Sequence, residues 1–406
     1  MNTSYHQRSF LLTIIILPSM LLVLCGHATP IPCNSQAVID YYLSPTPAGF
    51  EGLRACAADS AVLNKALREP RQNPVAGDIR VRLTDSTGTA YGLGFRTPGA
   101  IRMDTTYPLI IYLHGGTGTE RNDKGDSAFL MLEALADTFS LFLASPSANR
   151  FAPWWSPAGL LRILQTLRYM TLHYPINPDK VFLAGVSDGA TGCYAAANTI
   201  NAPFAGFIAV SGFGGMLPAV GMNLVPANLM LRPIYNVNAG RDRIYPIDLV
   251  KRFIADLRLQ GVGIIEKVYD DEEHGFDYRA KEMGTLANFI RTWSRPESPH
   301  CAWTFVQGFP NLPDHIVDWN YSGGEAFIRA WWRHDTLIIR SEGLASFTAA
   351  FAATPLREKI TCLFPAQRNR TRKIAPAKSS WPFELLLMQN RCVPEYAPAR
   401  FYTIVP

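Results

Sequence analysis

The chain has 406 residues, 48% hydrophobic and 17% charged, a mixture that builds a sizeable core and excludes a disordered or fibrous protein. A net charge of +5 over this length is too mild to mark a nucleic-acid binder, so any such function would have to show as a local basic cluster. At roughly 100 to 200 residues per domain, one large domain with a smaller companion fits.

At the N-terminus, His6 and Arg8 precede the apolar run FLLTIIILPSMLLVLC, Phe10 to Cys25. The run falls short of the about 20 residues of a bilayer span, and Pro18 interrupts it. Small residues follow, and Gly26 and Ala28 suit a signal-peptidase cut after Ala28. Residues 1–28 therefore read as a signal peptide, predicting a secreted or periplasmic protein with no stable membrane span. LVLCG also resembles a bacterial lipoprotein signal with Cys25 as the lipidated residue, although Leu24 is bulky where that motif takes a small side chain.

Export makes disulfides chemically possible. Cys33 and Cys56 flank a short N-terminal segment and could pair; Cys301, Cys362 and Cys392 all fall late in the chain, where connectivity stays open. Cys193 lies in an expected core helix and reads as a buried thiol. No cysteine spacing resembles a zinc site.

Residues 37–70 carry a helical pattern, and 29–75 form an N-terminal helical extension outside the main sheet. DIRVRLTD and TAYGLGFRTP then alternate like two strands joined by the turn-forming STG. YPLIIYL (107–113) is a continuous apolar run, DSAFLMLEALADTF has helical spacing, and LFLAS is apolar again. SPAGLLRILQTLRYMTLHY opens like a capped helix, with Ser156 as cap and Pro157 in the first turn. Strand KVFLAGV, helix ATGCYAAANTI, strands AGFIAVSG and RPIYNVNAG, helix IDLVKRFIADLRLQG closed by Gly261, strand GIIEKVY and helix YRAKEMGTLANFIRTW complete the series.

Strands apolar throughout are buried on both faces, and their alternation with helices gives βαβ crossovers. Residues 76–295 thus form a mostly parallel, doubly wound α/β sheet led by two antiparallel strands. The composition breaks at SRPESPH, Ser294 to His300, so 296–406 is expected to be a small β-rich domain. Within it, Ala326 to Phe351 reads as a β-meander with turns at HD and SEG. The basic stretch RNRTRK, Arg368 to Lys373, lacks interleaved aromatics and reads as a solvated loop, so no nucleic-acid partner is expected.

The chemistry sits in the α/β region. In VFLAGVSDGATG, Ser187 lies where a buried strand turns directly into a helix, the context of a nucleophile elbow. The backbone is strained there, so residues two before and two after must be small; Gly185 and Gly189 meet that need. LHGGTG follows the strand 107–113, and its glycines let backbone amides turn toward a developing negative charge. The expected oxyanion donors are the Asp188 amide and one amide from Gly115, Gly116 or Thr117.

A serine hydroxyl needs a base, and His274 in DDEEHGF is the histidine that follows the last strand. A carboxylate must orient it, and Asp242 in YNVNAGRDRIYP fits, giving the chain order Ser187, Asp242, His274. Asp248 is a rival that reads better as a first-turn helix charge, and Asp270 to Glu273 read as solvent-facing. In RFAPWWSP, Trp154 and Trp155 fall near the carboxyl edge of the sheet as candidate substrate-stacking residues, with packing against the sheet as the alternative. No metal-ligand pair, phosphate loop or dinucleotide fingerprint appears in the sequence, so no cofactor is expected.

Together YPLIIYLHGGTG, VFLAGVSDGATG, NAGRDRIYP and EEHGF resemble the α/β-hydrolase superfamily, and within it the feruloyl-esterase, polyhydroxybutyrate-depolymerase and dienelactone-hydrolase-like group. The prolyl-oligopeptidase catalytic domain is a more distant neighbour. Asp188 departs from the small or aromatic residue often found after the serine in that group. Residues 310–351 resemble a β-rich appendage behind some exported hydrolases. The resemblance implies an α/β-hydrolase fold and a serine esterase that forms an acyl-enzyme on a small-molecule or polymer-linked ester. A serine peptidase or acyltransferase on the same fold is one alternative, and an inactive polysaccharide-binding protein another.

Overall fold

Why the central strands read as unbroken apolar runs is visible in the computed structural model. Along the strand Tyr107–Leu113, the residues Leu109, Ile111 and Leu113 enter one core while Ile110 and Tyr112 enter another on the opposite face. The same alternation splits Val181 and Leu183 from Phe182 and Ala184, and Phe207 and Ala209 from Ile208 and Val210. Successive side chains of a strand point to opposite faces, so a sheet covered on both sides needs apolar residues at every position. Each large apolar side chain buried this way contributes about 1.5–3 kcal/mol.

The structure describes residues 35–46, positions 49, 53, 66, 67 and 70, and residues 74–296, 301–333, 336–352, 359–363 and 399–404. The apolar run and Cys25, the Cys33 and Cys56 pair, Cys392 and the basic stretch 368–373 lie outside the described residues. Among the described residues, no helix is long and apolar enough to cross a membrane.

The eight strands are β1 Asp78–Thr84, β2 Ala90–Arg96, β3 Tyr107–Leu113, β4 Phe142–Pro146, β5 Ile176–Val186, β6 Gly206–Val210, β7 Ile234–Ala239 and β8 Ile264–Tyr269. Their order in one sheet is β1-β2-β4-β3-β5-β6-β7-β8. The pairs β1–β2 and β2–β4 are antiparallel, and the other five are parallel. Helices Pro157–His173, Asp188–Thr199 and Ile247–Leu259 cover one face, and Glu133–Phe139 and Arg279–Thr292 the other. Ser156 caps the first of these through a 3.0 Å bond from the Gly159 amide to its hydroxyl, with Pro157 opening the helix. The N-terminal helix Ser35–Leu43 packs Val38, Tyr41 and Tyr42 beside Leu172.

The expected helix over 126–139 is instead a helical turn at Gly125–Ala128, a 3₁₀ turn at Phe129–Leu132 and the helix Glu133–Phe139. The chain leaves helical geometry at Leu132, with φ −121° and ψ 19°, while the first turn is seated on β4, where a Cβ on Gly125 would lie 2.4 Å from the Ser145 carbonyl.

Beyond residue 300 the strands are β9 Cys301–Thr304, β10 Ile316–Tyr321, β11 Phe327–Arg333, β12 Thr336–Glu342, β13 Leu344–Ala352, β14 Lys359–Leu363 and β15 Ala399–Ile404. The meander reading needs correction. β11 and β12 form a hairpin in the sheet β14-β12-β11-β9, but β13 belongs to a second sheet, β10-β13-β15. The switch occurs at Gly343, whose φ of 70° favours glycine and whose Cβ would lie 2.2 Å from the Glu325 carbonyl. Trp303, Ile328 and Ile339 from one sheet share a core with Ile316, Phe347 and Ala349 from the other. Cys193 and Cys301 are both buried free thiols, and burial pushes both pKa values up. Cys301 therefore takes no part in a C-terminal disulfide.

Candidate active site

Parallel registry brings the carboxyl ends of five strands to one edge. Leu113 sits opposite Gly185, Val186 opposite Val210, Val210 opposite Val237, and Ala239 opposite Tyr269. The loops that leave these ends carry residues 114–118, 187–189, 211–213, 240–246 and 270–278, so side chains far apart in sequence meet there.

Ser187 joins β5 to the helix Asp188–Thr199 with φ 56° and ψ −119°, a backbone conformation that non-glycine residues rarely adopt. The surrounding chain enforces it. A Cβ on Gly185 would meet the Gly189 backbone at 2.4 Å, and one on Gly189 would meet the Leu113 carbonyl at 1.9 Å. Only glycine fits at either position, which is the physical content of the spacing read from the sequence. The Ser187 amide donates to the Val210 carbonyl at 2.9 Å, fixing the turn to the neighbouring strand.

His274 Nε2 lies 2.9 Å from Ser187 Oγ, and His274 Nδ1 lies 2.7 Å from Asp242 Oδ2. The carboxylate only accepts, so Nδ1 carries the proton and Nε2 accepts from the serine hydroxyl. The Asp242 side chain is fully buried and that of His274 is 17% exposed, so the charge is shielded while the ring reaches the surface. The other Asp242 oxygen accepts from the Ile244 and Tyr245 amides, both at 2.8 Å. Its loop is tied to the histidine loop, because Gly240 donates to the Tyr269 carbonyl at 2.7 Å and Arg241 to the Glu272 carbonyl at 2.9 Å. The Gly275 amide meets Ser211 Oγ at 3.4 Å, and the Tyr245 ring stands edge-on to the His274 ring at 5.6 Å.

The turn after β3 is fixed carbonyl by carbonyl. The Trp154 indole donates to the His114 carbonyl at 2.8 Å, His114 Nδ1 lies 2.9 Å from the Gly115 carbonyl, and the Lys124 ammonium donates to the Gly116 carbonyl. All three oxygens thus face fixed donors. The amides of Gly115, Gly116 and Asp188 donate to no protein acceptor among the described residues. A Cβ on Gly115 would lie 3.1 Å from Ser187 Cβ, so the turn runs against the serine. The Thr117 amide is excluded as an oxyanion donor, because it is spent on Asp188 Oδ2 at 2.7 Å.

Trp154 also needs correction as a substrate-stacking residue. It is wholly buried, and its Cβ and ring fill the space left by Gly192, where an added Cβ would meet it at 2.5 Å. Trp155 is partly buried against the same core. Asp248 is exposed in the first turn of its helix, and Asp270, Asp271 and Glu273 are exposed as well. Glu272 is half-buried against Lys281. Three roles escaped the sequence reading: the Lys124 ammonium, the Tyr245 ring and the Asp188 carboxylate. Of these, only Asp188 carried a signal, as the unusual residue after the serine. Among the described residues, no group of three or more His, Cys, Asp or Glu side chains is arranged to hold a metal ion.

No family model and no curated protein matches the chain. Among solved structures it is similar to a thermostable esterase, with 19% identity and a TM-score of 0.43 over 54% of this chain and 63% of that one. It is likewise similar to the fluorophosphonate-binding serine hydrolase F of Staphylococcus aureus, with 17% identity and a TM-score of 0.43 over 54% and 99% of the two chains. A third is the acylaminoacyl peptidase of Pyrococcus horikoshii, with 14% identity and a TM-score of 0.43 over 54% and 42%. The chain thus spans less than two thirds of the thermostable esterase and under half of the peptidase. By its own strand order, its parallel crossovers and its elbow between β5 and the following helix, the chain has the α/β-hydrolase fold, with a β-rich C-terminal appendage.

Proposed function

We propose that the protein is an exported serine hydrolase that cleaves a carboxylic ester. The observation that carries this reading is the continuous relay from Asp242 Oδ2 through His274 to Ser187 Oγ, with contacts of 2.7 and 2.9 Å. Both are within the reach required of a base and its nucleophile before any movement. Export is supported by the short apolar run Phe10 to Cys25 and the small residues after it.

In the first half-reaction, Ser187 Oγ attacks the ester carbonyl while His274 Nε2 takes its proton. The imidazolium so formed is balanced by buried Asp242, which holds the ring in one tautomer. The carbonyl oxygen becomes an oxyanion and is received by the Asp188 amide at the positive end of the helix and by a free amide of the facing turn, Gly115 or Gly116. His274 then protonates the departing alcohol, leaving an acyl group on Ser187. In the second half-reaction, water gives its proton to His274 and attacks the acyl carbon; His274 then returns that proton to Ser187 Oγ as the acyl–Oγ bond breaks, which releases the acid and restores the free serine. The assembled relay favours this reading over an inactive binding protein, which has no need of a strained serine.

The test is Ser187→Ala with short p-nitrophenyl esters as substrates. Removing the nucleophile of such a relay costs on the order of 10⁶ in kcat, so turnover should fall to the uncatalysed background. Mass spectrometry after a fluorophosphonate probe should place one adduct on the peptide containing Ser187. Hydrolysis that survives the substitution would refute the assignment.

A further inference from the structure

An acidic residue that opens a helix is ordinary, since it meets the helix's positive end. Asp188 differs in where its carboxylate is aimed. Oδ2 accepts from the Thr117 amide at 2.7 Å and from the Thr117 hydroxyl at 2.9 Å, across 71 residues of sequence. The same residue supplies one of the two amides that receive the oxyanion in the reading above. The other comes from the turn before Thr117, where the Gly115 and Gly116 amides have no protein acceptor among the described residues.

The peptide between Gly116 and Thr117 is held at both ends. Its oxygen faces the Lys124 ammonium and its N–H faces Asp188. Gly116 sits at φ 64°, the left-handed region that lets the chain present this peptide edge-on to both charges. Turning the peptide over would forfeit a charge-assisted bond at each end. The carbonyl one peptide earlier, on Gly115, faces the loop's own His114 ring, so Asp188 and Lys124 hold the part of the turn that His114 does not reach.

We propose that Asp188 is a positioning residue that latches the oxyanion loop to the nucleophile elbow, so that one residue donates the first amide and fixes the turn that supplies the second. The inference rests on the serine hydrolase reading and adds a specific consequence to it. The latch acts on the transition state, where the oxyanion forms, and leaves ground-state binding alone. It works through hydrogen-bond acceptance, so a neutral acceptor of the same shape can replace the carboxylate.

The test uses the full chain with Asp188→Ala, Asp188→Ser and Asp188→Asn. Alanine removes the acceptor. Serine suits a helix start but is too short to reach Thr117, and it serves if the alanine variant does not fold. Asparagine keeps an acceptor oxygen without the charge. In the first two variants kcat for a p-nitrophenyl ester should fall about 100-fold with little change in KM. The inhibition constant of phenylboronic acid, which forms a tetrahedral adduct on the serine, should weaken in proportion. Asparagine should recover at least tenfold of the lost kcat. An alanine or serine variant with wild-type kcat, in a chain whose wild type labels at Ser187, overturns the latch alone. So does an asparagine variant as impaired as alanine, which would show that charge and not the latch matters. A wild-type chain that never labels at Ser187 overturns the hydrolase reading and the latch together.

Discussion

His114 opens the HGG turn, and its role differs from that of the glycines beside it. The ring is 6% exposed; Nδ1 donates to the Gly115 carbonyl at 2.9 Å and Nε2 accepts from the Ala148 amide at 3.1 Å. Both partners are satisfied only by the neutral ring, since an imidazolium would turn a second N–H against Ala148. Burial depresses its pKa to about 4, aided by Lys124 and opposed by the Gly115 carbonyl. In the unfolded chain the ring takes up its proton near the ordinary histidine value of 6.5. Between those two values the unfolded state binds more protons, so stability is complete above about pH 6.5 and falls as the pH drops toward 4. The loss due to this ring should reach roughly 2 kcal/mol by about pH 4.5. His114→Gln has no such titration, so urea unfolding of the two proteins should converge by that amount between pH 7 and pH 4.5. Parallel curves would contradict the assignment. At this scale the sequence announced its strained and constrained positions well, because Gly185, Ser187 and Gly189 must be what they are for the elbow to exist. It left Trp154 open between substrate stacking and packing, because the strand before it fixes only its place at the carboxyl edge of the sheet. The slot that buries it is made by Gly192, on a helix that no local pattern connects to it.

At the scale of elements, apolar period carried the α/β region almost intact, since each strand and helix is defined by its own residues. What period cannot show is which polar residue is drawn inside to join two elements. Arg162 lies in the helix Pro157–His173, yet its side chain is 2% exposed and pairs with Asp85, 4% exposed, at 2.8 Å. Its other arm donates to the Ser147 carbonyl at 3.0 Å and to Asn122 Oδ1 at 3.3 Å, and its guanidinium lies 4.6 Å from the centre of the Tyr91 ring. Asn149 reaches the same Asn122 oxygen at 2.8 Å. One cation thus binds the β1–β2 hairpin, the loop that carries Lys124 and the loop after β4 into one frame. Arg162→Met would leave Asp85 buried without its cation and should cost about 3–5 kcal/mol in denaturant unfolding. Adding Asp85→Asn should restore part of that loss, because the unpaired charge is the costly species. Single losses that simply add in the double variant would show that the two side chains do not interact. The sheet switch at Gly343 was hidden for a similar reason, since it lies against backbone elsewhere in the chain.

For the whole molecule, the question is how the β-rich appendage is attached to the α/β sheet. Val306 and Leu312 belong to the main core, while Trp303 and Phe305 belong to the appendage core, so this segment passes through both. The Asn228 side chain brackets Thr304, donating to its carbonyl at 2.8 Å and accepting from its amide at 2.9 Å. Leu312 pairs with the Thr199 carbonyl at 2.8 Å and accepts from the Ala202 amide at 3.3 Å. Arg232, 2% exposed, donates to the Phe204 and Ala202 carbonyls and grips both oxygens of Asp314 at 3.0 and 2.8 Å. The appendage is therefore fastened to the end of the elbow helix and the start of β7, the elements that place Ser187 and Asp242. It should lose structure together with them and not ahead of them. Asp314→Ala leaves the Arg232 guanidinium in the interior with carbonyl partners but no counter-charge, at a cost of about 3 kcal/mol. Hydrogen exchange followed by mass spectrometry should show matched protection for residues 301–333 and 181–239 in the wild type. In the variant, protection across 301–333 should fall first, while that of 181–239 declines less. Early exchange of the appendage in the wild type, or equal protection in the variant, would mean that the Arg232–Asp314 contact does not fasten the two parts.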